Sequence, residues 1–426
     1  MLELIRKRMI ALRLLEGLTQ EKLAEKMGLS RSHIANFERG GYMPSKISIL
    51  DYCFFFDVSE DYFKESNPSQ KDRELLNRIF KFLLHEEIKD RESIPEFFQN
   101  HVCNALQEYV FYLLKSTYFY AKREIEEAKK IEENYLKLFQ FDLNSAEYDS
   151  FTRKCQLFYQ AEKSYCMGSY NDAIEHWEAI LLLEDIPNDK IRASLKMIAC
   201  YYRNQDYVKV YRFAKIVITE LETMEEPILL AKAYSLLSAS YGQLNMFEEE
   251  LAVLDKLEVL IEHYQLSNEK IVLYNNRGYV YSNCNRLSDA LINYQKALHC
   301  ATTPERYISA LISNIHCLIA LGQYTIASEY INEMQSRKLS EREKMIALSY
   351  EAELLLYKGD EKESWKKQKI ALEYFLENDR LHNVSYIYSQ LARYFLEKKA
   401  FKKAAIYMER KEDIIHEKNS KLLADN

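Results

Sequence analysis

Apolar residues recur every three or four positions along most of the chain, and this spacing predicts amphipathic helices. Leu75, Ile79 and Phe82 share one predicted helix face, and Tyr109 and Leu113 share another. Runs with the two-residue period of β-strands are absent, and the 426 residues include only nine glycines and six prolines. The pattern therefore predicts an all-α protein.

A longer period runs through residues 151–426. Successive helix pairs are predicted there, and at most of the aligned positions their turns carry an aromatic or apolar residue, followed in the clearer copies by Ala three positions later. The aligned turn residues, separated by 37 or 40 positions, are Tyr170, Tyr207, Phe247, Leu287, Tyr324, Glu361 and Phe401. A near-constant period is typical of stacked helix pairs. The copy around Gly278, Tyr294 and Ala297 resembles the tetratricopeptide repeat, which implies a right-handed α-solenoid.

The N-terminal region has a different pattern, in which two short helices are separated by a tight turn. Thr19 and Ser30 are of the residue types that cap helix N-termini, and Gly28 suits the turn between the helices. The second helix would bury Ile34 and Phe37 and leave the residues near its N-terminal end exposed. This arrangement predicts a DNA-reading helix-turn-helix.

Residues 4–63 resemble the phage-repressor, or XRE/Cro, type of helix-turn-helix. The resemblance rests on the helix-turn-helix itself, on Glu38-Arg39-Gly40 and Pro44-Ser45, and on two short apolar segments after them. It implies a five-helix domain in which Arg13 pairs with Glu38. It also implies that Gln20 grips a phosphate and that the N-terminal end of the recognition helix reads bases. The predicted DNA-binding residues are Gln20, Ser30, Arg31, Ser32, His33 and Asn36.

Charge also distinguishes the N-terminal region. Residues 1–46 contain nine Lys/Arg and five Asp/Glu, a local balance of +4, whereas the whole chain has a formal charge of −7 and a pI of about 5.9. A local basic excess suits the phosphates of DNA, and the acidic total argues against a general nucleic-acid coat. Operator double-stranded DNA is therefore the predicted partner of this region. The alternative is a helical bundle that only dimerises or docks.

We predict three segments along the chain. Residues 1–66 form the helix-turn-helix domain, residues 67–150 a linker with degenerate leading helical repeats, and residues 151–426 the repeat domain. The polar stretch 64–72, which contains Pro68, is the predicted linker.

In stacked helix pairs, the first helix of each pair lines a concave groove. Asparagine can bind the main chain of an extended peptide with a donor and an acceptor together, and arginine can hold a carboxylate. Asn275 and Asn314 are the preferred pair. The predicted peptide-binding residues are Arg192, Arg203, Lys232, Asn275, Tyr279, Asn283, Asn314 and His316.

The order of a repressor-type helix-turn-helix followed by a long repeat array resembles the RRNPP peptide-pheromone regulators, and the array length is most similar to that of the neutral-protease regulators in this group. The resemblance implies a cytoplasmic quorum-sensing transcriptional regulator. A short signalling oligopeptide would bind in the groove and shift the oligomeric state, a homodimer or a higher homo-oligomer, and with it DNA binding. Two alternatives stay open. One is an adaptor that sequesters a response regulator or another protein, and the other is a peptide-responsive regulator of phage lysis and lysogeny.

Catalytic and metal-binding motifs are missing from the sequence. There is no G-x-S-x-G, Walker loop or H-E-x-x-H sequence, and the eight cysteines form no C-x-x-C pair. No apolar run reaches the roughly 18 residues that a membrane span requires. We therefore expect a cytoplasmic protein without catalytic residues, metal, cofactor or membrane association.

Overall fold

The computed structural model describes residues 2–40, 44–64, 66–85, 94–139, 141, 148–378 and 381–424. Within these ranges every regular element is helical, so the predicted all-α class is confirmed. The chain divides into two compact units, Met1–Leu244 and Asn245–Asn426. The predicted boundaries at residues 66 and 150 both lie inside the first unit, and they stay predictions.

The N-terminal domain contains four α-helices and a closing 3-10 helix. These are α1 Leu2–Leu15, α2 Gln20–Met27, α3 Arg31–Arg39, α4 Lys46–Phe56 and the 3-10 helix Glu60–Phe63. The Thr19 hydroxyl accepts a hydrogen bond from the Lys22 amide at 3.1 Å, and the Ser30 hydroxyl accepts one from the His33 amide at 3.2 Å. Gly28 ends α2 with a φ of 66°, a left-handed conformation that favours glycine.

The helices of this domain enclose a small core of their own. Because apolar residues are three or four positions apart on α1, α2 and α3, each helix turns one apolar face inward. The buried residues of the core are Ile5, Met9, Leu12, Leu23, Ala24, Ile34, Phe37, Tyr52, Cys53, Val58, Tyr62 and Phe63.

The leading helices follow in the same unit. They are α5 Gln70–His85, a 3-10 helix Glu96–Gln99, α6 Ala105–Lys122, α7 Ile125–Ile131, a π-helical turn Glu132–Leu136 and α8 Lys137–Phe139. Most of α6 is buried, because it packs against α5, α7 and α9 (Ser150–Met167). It is the central helix of this part of the molecule.

The repeat helices continue through both units. The first unit contains α9, α10 Tyr170–Leu183, α11 Pro187–Arg203, α12 Tyr207–Leu221 and α13 Pro227–Gln243. The second contains α14 Phe247–Tyr264, α15 Lys270–Asn283, α16 Leu287–His299, α17 Pro304–Ala320, α18 Tyr324–Gln335, α19 Glu341–Lys358, α20 Glu361–Glu377, α21 Leu381–Glu397 and α22 Phe401–Ala424. All seven predicted turn residues begin an even-numbered helix from α10 to α22, which confirms the period.

One backbone feature repeats with the same period. A residue with positive φ lies two positions before the start of each of these even-numbered helices, namely Gly168, Gln205, Asn245, Asn285, Gly322, Gly359 and Lys399. Glycine and asparagine tolerate this left-handed conformation, whereas glutamine and lysine adopt it at a cost of roughly 1 kcal/mol. The helix-pair turns are therefore of one type, whatever residue occupies the left-handed position.

Candidate nucleic-acid interface and repeat-helix polar residues

A buried ionic cluster joins the first three helices of the N-terminal domain. Arg13 donates hydrogen bonds to both Glu38 carboxylate oxygens, at 2.5 and 2.7 Å, and a third to the Leu18 carbonyl at 2.7 Å. The Gln20 amide also donates to Glu38, at 2.7 Å. The Arg13–Glu38 pair implied by the resemblance is thus present. Gln20, which was expected to grip a phosphate, has its side-chain amide within this cluster.

The N-terminal half of α3 presents polar side chains to solvent. Arg31, Ser32 and Asn36 are exposed, whereas Ile34 and Phe37 are buried on the opposite face. His33 is half-buried, and its ring lies edge-to-face against Phe37 with 4.4 Å between the ring centres. The predicted residues therefore fall into two groups. Three are exposed on one helix face, while Ser30 caps the helix and His33 packs against its own core.

Burial changes the charge balance that the sequence indicates for this region. Arg8 and Arg13 are buried, as is Glu38. Without these three residues, seven basic and four acidic side chains remain between residues 1 and 46, a balance of +3. Lys22, Lys26 and Arg39 are exposed, although none of them is among the predicted DNA-binding residues. The solvent-facing surface of the domain is basic, although two of its arginines are structural.

The predicted peptide residues of the first unit differ in their surroundings. Arg192 is held by its own neighbours: its Nε donates to Asn188 at 2.9 Å, and its guanidinium lies 3.7 Å from the Glu226 carboxylate. Arg203 is exposed. Desolvation acts to lower its pKa, but the charge interaction and the hydrogen bond with Tyr165, together with Tyr170 and Tyr202, outweigh it and raise the pKa. Lys232 is half-buried. Of the two arginines, only Arg203 combines an exposed position with an aromatic cradle.

In the second unit, α15 carries three of the predicted residues. Asn275 is half-buried, and its carbonyl oxygen has no hydrogen-bond partner among the described residues. Tyr279 is 39% exposed. Asn283 is exposed, but its amide donates to the Tyr279 carbonyl at 2.9 Å, within its own helix. Among these three residues, Asn275 is the one whose side-chain oxygen is buried without a partner among the described residues.

The structure corrects the prediction for Asn314. This residue is completely buried, and its amide donates to the carbonyls of Tyr294, at 2.9 Å, and Ala310, at 3.0 Å. One of these hydrogen bonds joins α17 to α16, and the other lies within α17. Because the side chain is buried, Asn314 has no surface at which a peptide could bind. Its position on α17 turns the side chain toward α16 instead of toward the groove predicted from the sequence.

A buried carboxyl group on α19 was not predicted. Glu353 is 1% exposed, and its Oε2 accepts a hydrogen bond from the Tyr386 hydroxyl at 3.2 Å. Desolvation raises the pKa of Glu353 to about 7, although the nearby Arg393 opposes the change. The His316 ring packs beside Tyr386, and the two ring centres are 5.1 Å apart. One signal in the sequence could have identified Glu353. Like Tyr279 and His316, it lies eight residues before a turn residue.

Two negative findings, on metal binding and on membrane spanning, apply to the residues that the structure describes. Their His, Cys, Asp and Glu side chains form no group that could hold a metal ion. None of their helices is long and apolar enough to cross a membrane.

Known proteins resemble this chain in two different parts. Residues 9–63 match the helix-turn-helix family HTH_3. Over 80 residues, 18% of this chain, the sequence is 28% identical to the HTH-type transcriptional regulator ImmR of Bacillus subtilis (strain 168). The match spans 62% of that regulator's length.

Solved structures resemble most of the chain. A Rap protein complexed with competence and sporulation factor matches with a TM-score of 0.62 and 15% identity, over 84% of this chain and all of the other. NprR in complex with its cognate peptide NprX matches with a TM-score of 0.56 and 14% identity, over 82% of this chain and all of the other. At such identities the similarity concerns the fold alone. The chain therefore joins a helix-turn-helix domain to an all-helical fold like that of the Rap and NprR structures.

Proposed function

We propose that this protein is a cytoplasmic quorum-sensing transcriptional regulator. It binds operator DNA through α3 and a short signalling peptide through polar residues of the repeat helices, and the peptide shifts both oligomeric state and DNA binding. The observation that carries the proposal is the exposed polar face of α3, formed by Arg31, Ser32 and Asn36 on a capped helix in a basic domain.

The DNA-binding residues take different roles. Arg31 suits the O6 and N7 acceptors of guanine, and Asn36 suits the N6 and N7 pair of adenine. Ser30 and His33 contribute through the helix N-terminus, whose free amides favour a phosphate. Gln20 has a second amide hydrogen with which to reach a phosphate while it bonds to Glu38. Base contacts then select sequence, and the surrounding lysines supply affinity that depends on salt.

The DNA proposal can be tested in two steps. The full-length protein first selects a DNA duplex from a random library, and the affinity of each variant for that duplex is then measured. Arg31→Ala and Asn36→Ala should each weaken binding by about 1–3 kcal/mol and relax the preference at one base position. Lys22→Ala should weaken binding to all duplexes equally and reduce the salt dependence, and Lys358→Ala, at an exposed lysine of α19, should change neither. If Arg31→Ala and Asn36→Ala left sequence preference intact, α3 would not be the reading helix.

For the peptide, Asn275 and Arg203 are the best supported of the predicted residues. The buried carbonyl oxygen of Asn275 calls for a donor, which the main chain of an extended peptide provides. Arg203 can hold a carboxylate. Tyr279, Asn283, Lys232, His316 and Arg192 remain in the proposed set, whereas Asn314 leaves it. One structure with a similar fold is NprR in complex with its cognate peptide NprX, and another is a Rap conjugation gene regulator in complex with the Phr* peptide, which supports a peptide as the ligand class.

The peptide proposal is tested on protein purified from its native host. Mass spectrometry of co-purified short peptides identifies the ligand, and calorimetry with the synthetic peptide measures its affinity. Asn275→Ala should weaken binding at least about tenfold, since a lost hydrogen bond in a desolvated site is worth about 1–3 kcal/mol. Light scattering with and without peptide should show a change between oligomers. No co-purified peptide and no change of oligomer on screening would overturn this part alone.

The fold similarity to a Rap protein favours one second candidate, an adaptor that sequesters a response regulator or another protein. Affinity capture with candidate response regulators separates the two functions. The adaptor would bind its protein partner with Arg31 and Asn36 both replaced, whereas the transcriptional regulator would lose operator binding.

A further inference from the structure

Helix α1 is buried beyond the face that packs into the core of the N-terminal domain. Ile5, Met9 and Leu12 point into that core, while Arg8 is completely buried against α6. Placing a guanidinium out of water is unfavourable unless its charge and its hydrogen bonds are matched. Full burial of Arg8 therefore indicates a specific docking site rather than a chance contact.

The surroundings of Arg8 meet this condition. Its Nε donates to the Glu108 carboxylate at 2.7 Å, and Nη2 donates to the Cys103 carbonyl at 2.6 Å. Nη1 donates to the Tyr62 carbonyl, and the guanidinium lies 4.6 Å from the centre of the Tyr62 ring. The Tyr62 hydroxyl donates to the other Glu108 oxygen at 2.5 Å. Burial raises the pKa of Glu108, and Arg8 is the main opposing influence that favours its charged form.

A second contact lies at the π-helical turn Glu132–Leu136. Asn134 in this turn donates to the Leu14 carbonyl, near the C-terminal end of α1, at 3.1 Å. The Tyr135 ring stacks between Tyr112 of α6 and Phe139, with ring centres 3.9 and 4.5 Å apart. Such turns are often found at functional positions in helices. Here the turn contacts α1 near its C-terminal end, away from Arg8 along the helix.

The same turn is tied to the first helix of the first clear repeat. Glu132 accepts hydrogen bonds from the hydroxyls of Tyr120 and Tyr159, both at 2.6 Å, and from the Lys163 ammonium at 2.8 Å. Tyr159 and Lys163 belong to α9. A continuous series of buried and half-buried contacts therefore connects α9, the π-helical turn and α1.

We propose that Arg8, Glu108 and Tyr62, together with Asn134, form a latch that holds the DNA-reading domain at a set orientation on the leading helices. These are positioning residues: they act on DNA binding through the orientation of α1, and Glu132 links that orientation to α9. This inference rests on the proposed DNA-binding function only where DNA affinity is measured. The docking itself can be tested separately.

The physical chemistry of buried ion pairs makes the latch testable. Removal of one partner leaves an uncompensated buried charge, which is strongly unfavourable, whereas replacement of both partners by neutral side chains of similar size is close to neutral. The domain has its own core, so it can undock and place Arg8 in water without unfolding. In the docked state Asn104 and Gln107 hold the backbone of Ser66 and Ser69 by hydrogen bonds. Undocking would release this backbone, so that trypsin could bind it and cleave at the exposed Lys64 and Lys71.

The experiment compares full-length wild type with Glu108→Gln, Arg8→Met and the double variant Arg8→Met/Glu108→Gln. Glutamine keeps an acceptor for the Tyr62 hydroxyl. Glu126→Gln, at an exposed carboxylate of α7, is the matched control. Mass spectrometry measures the rate at which limited trypsin releases fragments ending at Lys64 or Lys71, and circular dichroism shows whether helix content and thermal unfolding are unchanged.

The latch predicts at least tenfold faster release for Glu108→Gln and a clear return toward the wild-type rate in the double variant. A wild-type rate for Glu108→Gln, or additive effects without rescue, would overturn it. If a single variant lowers the melting temperature, the cleavage rate of the double variant still tests the latch, since only coupled residues rescue one another. Affinity for the duplex selected by wild type should fall at least tenfold in Glu108→Gln and recover in the double variant. Failure to select any duplex would count against DNA binding and leave the cleavage test standing.

Discussion

Glu353 makes folding of the second unit depend on pH in an unusual direction. Burial on α19 raises its pKa from the ordinary 4.5 to about 7, so the folded chain holds the proton more tightly than the unfolded chain does. The stability contributed by the protonated carboxyl is complete below pH 4.5 and is lost as the pH rises through about 7. A pKa difference of this size corresponds to about 3 kcal/mol.

Glu353→Gln replaces the carboxyl with a neutral group of the same shape that can still accept from Tyr386. We expect the variant to gain about 3 kcal/mol of unfolding free energy over wild type at pH 8 and to differ little at pH 4.5. The titratable and charged groups around the carboxyl are Tyr324, Tyr350, Tyr357, Tyr386, Arg393 and Glu397. Only Arg393 among them carries a positive charge, and Glu353 remains protonated to higher pH in spite of it.

Urea unfolding of the full-length protein from pH 4.5 to 8 provides the measurement. The chain has two tryptophans, so a Trp177→Phe background leaves Trp365 of α20, which packs beside α19, as the reporter of the second unit. Glu351→Gln, at a half-exposed carboxylate of the same helix, is the control. If wild type and Glu353→Gln kept a constant stability difference across this range, the buried carboxyl would not be the titrating group.

Two further variants test packing and the ionic cluster of the N-terminal domain. Gly278→Ala would place a Cβ 2.5 Å from the Tyr294 ring, so we expect a loss of roughly 1–3 kcal/mol in urea unfolding and partial recovery in Gly278→Ala/Tyr294→Leu; an unchanged midpoint would contradict the close contact. Arg13→Met leaves Glu38 and Gln20 in a buried site without a cation, so we expect a loss of about 3–5 kcal/mol in domain stability. Retention of wild-type duplex affinity and stability by Arg13→Met would show that the cluster is dispensable.

Local patterns in the sequence determined the helices and where many of them begin. The three- and four-residue spacing of apolar positions indicated an all-α chain. The 37- or 40-residue period identified seven turn residues, Glu361 included, and each of them begins a helix in the structure. Caps such as Thr19 and Ser30 were predictable because capping depends only on residues within one turn. The exposed face of α3 followed from the same periodicity.

Tertiary structure decided which polar residues are available to bind. Asn275 and Asn314 are both polar residues of first helices in adjacent repeats, but packing buries Asn314 completely and leaves Asn275 half-exposed. In the sequence, Arg8 is one more basic residue of the predicted DNA-binding region. In the structure it pairs with a carboxylate of α6, which lies one hundred positions away along the chain. Burial and charge pairing depend on contacts between residues far apart in the chain, and neither periodicity nor local composition contains that information.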